Sequence, residues 1–171
     1  MVRYLYMVES ERHAQIRKEL EKRLENKGLD FVSSHSPDAE GQGPALYLGD
    51  PREGDRSKSE YRISLPDILI KNEDGSVDII EIEADDKPPK YLLGDLYSVL
   101  YSEYFADEGG VIRAIDEVRK IYILIAQNKV KDQPKPLQYA HLVESFEEND
   151  EFDVDFDIFW KEEVDKLVDK F

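Results

Sequence analysis

The sequence predicts an α/β protein with a mixed central sheet flanked by helices, and three observations support that prediction. Residues 10–27 carry apolar side chains at helical spacing between charged ones. Residues 61–71 and 77–83 are apolar runs on either side of an Asp-Gly turn, which is typical of a β-hairpin. Residues 121–126 form an uninterrupted apolar run, as expected for a buried central strand. Helices and buried strands therefore share one fold.

The remaining elements follow from local patterns. Residues 35–59 are rich in Gly, Pro, Ser and charge, which predicts a long loop, and the later Pro-rich segment predicts another. Residues 137–143 fit neither helix nor strand clearly. In chain order we predict a strand at 29–34, a short strand at 45–48, helices at 91–105 and 111–119, a loop at 131–136, a strand at 152–158 and a closing helix at 161–171.

Length and composition indicate a single intracellular domain. The chain of 171 residues is 40% hydrophobic and 36% charged, which suits one globular domain over residues 1–171 with a sizeable core. It has no cysteine, so disulfides and thiolate metal sites are excluded. The N-terminal apolar run is too short for a signal peptide or a membrane span. We therefore expect a soluble, cytoplasmic protein without membrane contact.

The negative charge is concentrated at the C-terminal end. The formal net charge of -16 argues against a simple nucleic-acid binder, because phosphate contacts need Lys and Arg. Twelve acidic residues and only three lysines lie within residues 144–171, however, so the body of the chain is much less acidic. Asp153, Asp155 and Asp157 alternate with apolar residues, which predicts an edge strand with an acidic outer face. This acidic extension is a candidate docking surface for a basic protein.

Three carboxylates are predicted to converge at one end of the hairpin. Glu81 and Glu83 lie two residues apart in a strand, so they share a face with Ile79. Pairing across the turn folds Asp67 back towards them. Such a cluster is costly unless a cation lies between the acids, and carboxylate oxygens are what Mg²⁺ or Mn²⁺ binds. Each acid can instead be read alone as a solvated strand-end residue, and Asp95 as a solvated helix residue.

The stretch LPDILIKNEDGSVDIIEIE resembles the core motif of the PD-(D/E)XK nuclease superfamily. The resemblance implies a restriction-endonuclease-like αβββαβ core over about residues 10–126, followed by a C-terminal strand–helix extension over about 144–171. Asp67 then corresponds to the motif's Asp and Glu81 to its (D/E), while Glu83 occupies the lysine position. This ending is similar to that of a subgroup of type II restriction endonucleases in which all three acids serve the metal site. There the second Glu replaces the lysine near the attacking water.

The departure at the lysine position leaves two alternatives open. Lys90, or Lys87, is expected to reach back from the segment after the strand and act as the catalytic cation. Alternatively, the chain has lost catalysis and kept the fold. Archaeal Holliday-junction resolvases are a looser match and carry an acidic residue early in the first helix. Arg17 stands at that position here, with Glu19 or Glu21 as the nearest substitute.

Residues for contacting a nucleic acid are sparse. The best local basic cluster is predicted to contact phosphates, although a solvated loop is the competing interpretation; it consists of Arg52, Arg56, Lys58 and Arg62. His35, in the long loop, is a candidate for a general base, followed by His13 and His141. Tyr97, Tyr101 and Tyr104 are read as core and interface residues. The nuclease resemblance also implies a homodimer, because such enzymes commonly pair to cut two strands.

The sequence thus yields two functional hypotheses. The first is a metal-dependent endonuclease acting on DNA, with Mg²⁺ or Mn²⁺ held by Asp67, Glu81 and Glu83. The alternative is a catalytically inactive, nuclease-like scaffold that binds other proteins through its acidic surface.

Overall fold

The computed structural model describes residues 10–33, 44–53, 62–84, 88–107, 110–126, 134–148 and 153–171. These residues contain four helices and nine strands. The helices are α1 (Glu11–Asn26), α2 (Lys90–Leu100), α3 (Pro134–Glu147) and α4 (Val164–Val168). The strands are β1 (Phe31–Ser33), β2 (Leu46–Tyr47), β3 (Arg62–Ser64), β4 (Ile68–Lys71), β5 (Ser76–Glu83), β6 (Tyr104–Ala106), β7 (Ile112–Ala114), β8 (Glu117–Ile125) and β9 (Asp155–Trp160).

A mixed five-stranded sheet forms the centre of the protein, in the order β1-β4-β5-β8-β9. The strands β1, β4 and β5 pair antiparallel, whereas β5, β8 and β9 pair parallel. β5 and β8 are interior strands, which explains why every residue of β5 and the last five residues of β8 are buried. The predicted α/β class with a mixed central sheet is therefore confirmed.

Helices cover both faces of this sheet. On one face, Leu20 and Leu24 of α1 and Leu167 of α4 pack against alternate sheet residues such as Ile80. On the other face, α2 and α3 pack against the residues of opposite parity, for example Ile79. Successive β5 side chains therefore enter two different cores, as the period of two in a strand requires.

A second, antiparallel sheet in the order β3-β2-β6-β7 lies on the α2 side, where Leu46 and Phe105 join the core formed with that helix. Its existence corrects the prediction of one strand over residues 61–71. That segment is two strands in different sheets, β3 and β4, separated by Leu65, Pro66 and Asp67. Proline has no N–H to donate to a ladder, so the strand breaks there.

The segment after α2 was also predicted incorrectly. The helix expected at 91–105 ends at Leu100, and β6 follows, while the helix expected at 111–119 is instead β7 and the start of β8. Val111, Ile112 and Val118 are β-branched and favour strands, and pairing with β6 and β5 outweighs the helical spacing.

The helix α3 replaces part of a predicted loop. It begins at Pro134 and runs to Glu147, through residues that the sequence pattern had left unassigned. Proline is tolerated in the first turn of a helix, since no intrahelical acceptor awaits its missing N–H. Tyr139, Val143 and Phe146 then bury one side of the helix against the sheet.

The predicted C-terminal edge strand is confirmed, with different bounds. β9 is the edge strand beside β8, with Phe156 buried and Asp155 exposed, and it runs from Asp155 to Trp160 rather than over residues 152–158. The closing helix consists of a 3₁₀ turn at Lys161–Glu163 and then α4. No helix among the described ranges is long and apolar enough to cross a membrane.

Candidate metal centre

Asp67 is held at the entrance to β4 by two contacts. The β4–β5 register pairs Ile68 with Ile80, so Asp67 stands just outside the last pair, next to the end of β5. Its Oδ2 accepts a hydrogen bond from the backbone N–H of Ile82 at 2.7 Å. The same oxygen lies 3.1 Å from Nε2 of His13 in α1. Strand register and helix packing therefore fix this carboxylate.

Glu81 is the most perturbed acid of the site. Glu81 is only 6% exposed. Its buried Oε1 has no hydrogen-bond partner among the described residues. Burial raises the pKa of Glu81 well above the ordinary value, and the negative charges of Asp67, Asp95 and Glu83 raise it further. The backbone amide of Asp67 acts in the opposite direction. The interior therefore disfavours the ionised form unless a cation is present.

Glu83 is also buried, at 7% exposure, and lies two residues along the same strand. Ile79 of the same parity enters the core with α2, whereas Ile80 and Ile82 enter the core with α1. The prediction that Ile80 and Ile82 point away from the two acids, into a core, is thus confirmed. The prediction that Asp67 folds back towards this end is confirmed too, since it contacts Ile82 directly.

Asp95 was predicted to be a solvated helix residue, but it lies near the three carboxylates of the site. It is half-buried on α2, and its charge raises the pKa of Glu81. Asp95 directly precedes Leu96, which is fully buried, so it borders the apolar stripe of its helix. That position is the signal that sequence reasoning overlooked.

His13 contacts the site, which the sequence analysis did not predict. It precedes Leu20 by seven residues and Leu24 by eleven, so it continues the buried stripe of α1. A histidine on that stripe faces the sheet, and in the structure it reaches Asp67. Glu19 and Glu21 were the acids suggested for this helix. Their described contacts are with other residues of α1, since Glu19 pairs with Arg23 and Glu21 pairs with the buried Arg17.

Lys90 is the first residue of α2 and is exposed. Its Nζ lies 5.4 Å from the centre of the Tyr91 ring, within the range of a cation–π contact. Lys87, the other lysine considered, is outside the described residues.

The predicted phosphate-contacting residues are only partly described. Arg52 pairs with Asp50 and lies 5.8 Å from the ring centre of Tyr104. Arg62 is half-buried in β3 and pairs in register with Tyr47. Arg56 and Lys58 are outside the described residues. The pairing with Asp50 already engages Nε and Nη2 of the Arg52 guanidinium group.

The donor atoms of the site are carboxylate oxygens, the type of ligand that a hard divalent cation prefers. An orphaned buried oxygen on Glu81, beside three further carboxylates, is the environment that a positive charge stabilises. Within the described ranges no three His, Asp or Glu side chains already stand in a metal-binding arrangement. A bound cation would have to draw these carboxylates together.

Searches of protein-family models, of curated proteins and of solved structures find no match to this chain. The resemblance of residues 66–83 to the nuclease motif accordingly stays an expectation drawn from the motif itself.

Proposed function

We propose that the protein is a metal-dependent endonuclease that hydrolyses phosphodiester bonds in DNA at the end of β5. The observation that carries the proposal is the buried carboxylate of Glu81, with one oxygen unpaired and three acids around it. Such a group is costly in a protein that has no use for it. Perturbed acids of this kind cluster at functional sites.

The order of the main-sheet elements supports the proposal. Leaving out the second sheet, the chain runs α1, β1, β4, β5, α2 and β8, which is helix, three strands, helix and strand. That is the order which the resemblance to PD-(D/E)XK nucleases implies. Asp67 and Glu81 lie at the end of the central hairpin, at the positions that the motif assigns to the metal ligands.

The residues of this chain would divide the work as follows. Asp67, Glu81 and Glu83 would hold a Mg²⁺ or Mn²⁺ ion, and the protein core behind them keeps bulk water away from Glu81. When bound, such an ion makes a water more acidic and offsets charge on the phosphate. The backbone N–H of Ile82 keeps Asp67 oriented through its Oδ2. Lys90, at the start of α2, would contact the phosphate backbone of the DNA. Two copies of the chain would cut the two DNA strands.

Isothermal titration of Mg²⁺ and Mn²⁺, together with nicking of supercoiled plasmid DNA, tests the proposal. Glu81→Gln keeps the size of the side chain and removes its charge, while Glu117→Gln makes the same change at an exposed position at the start of β8. We expect metal binding and metal-dependent nicking to be lost in the first variant and retained in the second. Nicking that persists in Glu81→Gln, or in the presence of a chelator, contradicts the proposal.

The second candidate function is an inactive nuclease-like scaffold that binds a basic protein. The observation that favours it is Glu83, an acid where the motif has its lysine, in a site without a ready-made set of ligands among the described residues. The exposed acids of the β9 edge then form the docking surface. Metal binding without any nicking of DNA would favour this function over the first.

A further inference from the structure

We propose that His13 is a nitrogen ligand of the metal centre and gives it a preference for a first-row transition-metal ion, such as Mn²⁺, over Mg²⁺. The inference rests on the proposed metal site and decides between the two ions that its carboxylates leave open. It adds a ligand from α1, a helix far from the acidic motif in sequence.

The packing of α1 supports this assignment, because it presents His13 to the site on a rigid element. Ile16 and Leu20 are buried against the sheet, where Ile68 and Ile80 belong to the same core. Ser10 caps the helix by accepting a hydrogen bond from the backbone N–H of His13 itself. The imidazole is therefore not a freely moving surface group, and its side chain is only 14% exposed.

The spacing of the two side chains is compatible with a shared ion. Nε2 of His13 and Oδ2 of Asp67 are 3.1 Å apart. Neighbouring ligands of an octahedral ion with bonds of about 2.1 Å are separated by about 3.0 Å. Oδ2 also accepts a hydrogen bond from the backbone N–H of Ile82, and this bond orients the carboxylate. A second lone pair of Oδ2 is then left for an ion. A small rotation of either side chain would admit an ion between them.

The ligand chemistry then sets the preference. Mg²⁺ binds oxygen ligands and keeps several waters, whereas imidazole nitrogen suits transition-metal ions. A site built from carboxylates alone discriminates weakly between Mg²⁺ and Mn²⁺. Adding one imidazole favours Mn²⁺ and the ions above it in the affinity order of the divalent first-row metals.

Pulsed electron paramagnetic resonance of the Mn²⁺-loaded protein tests the inference directly, because a bound imidazole gives a nitrogen coupling. His13→Gln is the test variant. His141→Gln is the matched control, since His141 is exposed on α3 and pairs with Glu144. We expect the coupling in the wild type and in His141→Gln and its loss in His13→Gln. We also expect His13→Gln to lower the Mn²⁺ affinity about tenfold or more and the Mg²⁺ affinity less.

The outcomes separate this inference from the proposed function. Tight Mn²⁺ binding without nitrogen coupling in the wild type overturns the ligand role of His13 and leaves the carboxylate site standing. Equal losses of Mn²⁺ and Mg²⁺ affinity in His13→Gln also overturn it, because His13 then only positions Asp67. Absence of binding by either ion in the wild type overturns both. Circular dichroism of each variant shows whether a loss reflects unfolding.

Discussion

Oδ2 of Asp67 accepts a hydrogen bond of 2.7 Å from the backbone N–H of Ile82, although the two residues are fifteen apart in sequence. Ile82 lies two residues beyond Ile80, the last residue of β5 that pairs with β4. The side chain of Asp67 therefore continues the β4–β5 ladder beyond the start of β4. As a consequence, one carboxylate is fixed near the buried Glu81, and its negative charge raises the pKa of Glu81.

Removing the charge of Asp67 is expected to lower the pKa of Glu81. Asp67→Asn keeps an acceptor for the Ile82 N–H, but it removes the carboxylate that ranks directly after burial among the causes raising that pKa. Carbon-13 NMR titration of the glutamate carboxyls measures the change. Asp169→Asn, at the exposed end of α4, is the control and should leave Glu81 unchanged. An unaltered Glu81 in Asp67→Asn would show that the two carboxylates do not interact.

The pH dependence of stability should also reveal Glu81. Its pKa in the folded protein is raised, so the folded state binds the proton more tightly than the unfolded state does. The free energy of unfolding therefore has its full contribution from this group below the ordinary glutamate pKa of 4.5, and it loses that contribution as the pH rises through the folded-state pKa.

We accordingly expect Glu81→Gln to be more stable than the wild type at neutral pH without metal, by about 1–3 kcal/mol. The difference should shrink as the pH falls towards 4.5. Urea unfolding of both proteins over this pH range measures it. Saturating Mn²⁺ should stabilise the wild type and leave the variant unaffected. A variant that is less stable at neutral pH would contradict the buried, uncompensated state of Glu81.

The two sheets are joined by an ion network at the opposite end of β4. Nζ of Lys71 lies 2.7 Å from Asp30 and 2.9 Å from the buried Asp107, which also pairs with Arg113 of the second sheet. Burial lowers the pKa of Lys71, but its hydrogen bonds to Asp30 and Asp107 outweigh that effect and raise it. The network therefore depends on the carboxylate of Asp107.

Asp107→Asn is expected to lower the free energy of unfolding by about 2–3 kcal/mol, because two cations lose a buried partner. Asp169→Asn breaks only the exposed contact with Lys27 and should cost less than about 0.5 kcal/mol. Urea unfolding of both variants measures the difference. Similar values for the two would mean that the network contributes no more than a surface ion pair.

The acidic edge strand is expected to oppose DNA binding. Asp157 is unsuitable for a test, because Lys120 and Lys170 both contact it and its reversal would bring three cations together. Asp153 and Asp155 are exposed, and the contact of Asp155 with Lys120 is long at 3.9 Å, so reversing these two residues disturbs the fold less. The double variant to lysine should bind DNA more tightly than the wild type, with a steeper salt dependence.

Fluorescence anisotropy with a labelled duplex measures this effect, and the double variant to asparagine should fall between the other two proteins. Equal affinities for all three proteins would reject any role of the β9 edge in keeping DNA away. A basic protein that binds the wild type and loses affinity for the lysine variant would instead support the scaffold function.

Several features were accessible from the sequence because they depend on local periodicity. Alternation along β5 placed Glu81 and Glu83 opposite Ile80 and Ile82, and the Asp-Gly turn brought Asp67 back to them. The alternating acids of β9 likewise predicted an edge strand. Errors arose where pairing partners decide the conformation. The segments around Leu65 and Val111 contain strands of a second sheet, which no local sequence pattern predicts.

By itself, the sequence determined the α/β class, the two faces of β5 and the carboxylates at its end, because side-chain direction in a strand follows from the backbone geometry. Only the tertiary structure decided that His13 and Asp95 join these acids, since each lies on a helix whose rotation and position are set by packing. It also decided that Oε1 of Glu81 is buried without a partner, because burial is a property of all the elements that surround a group.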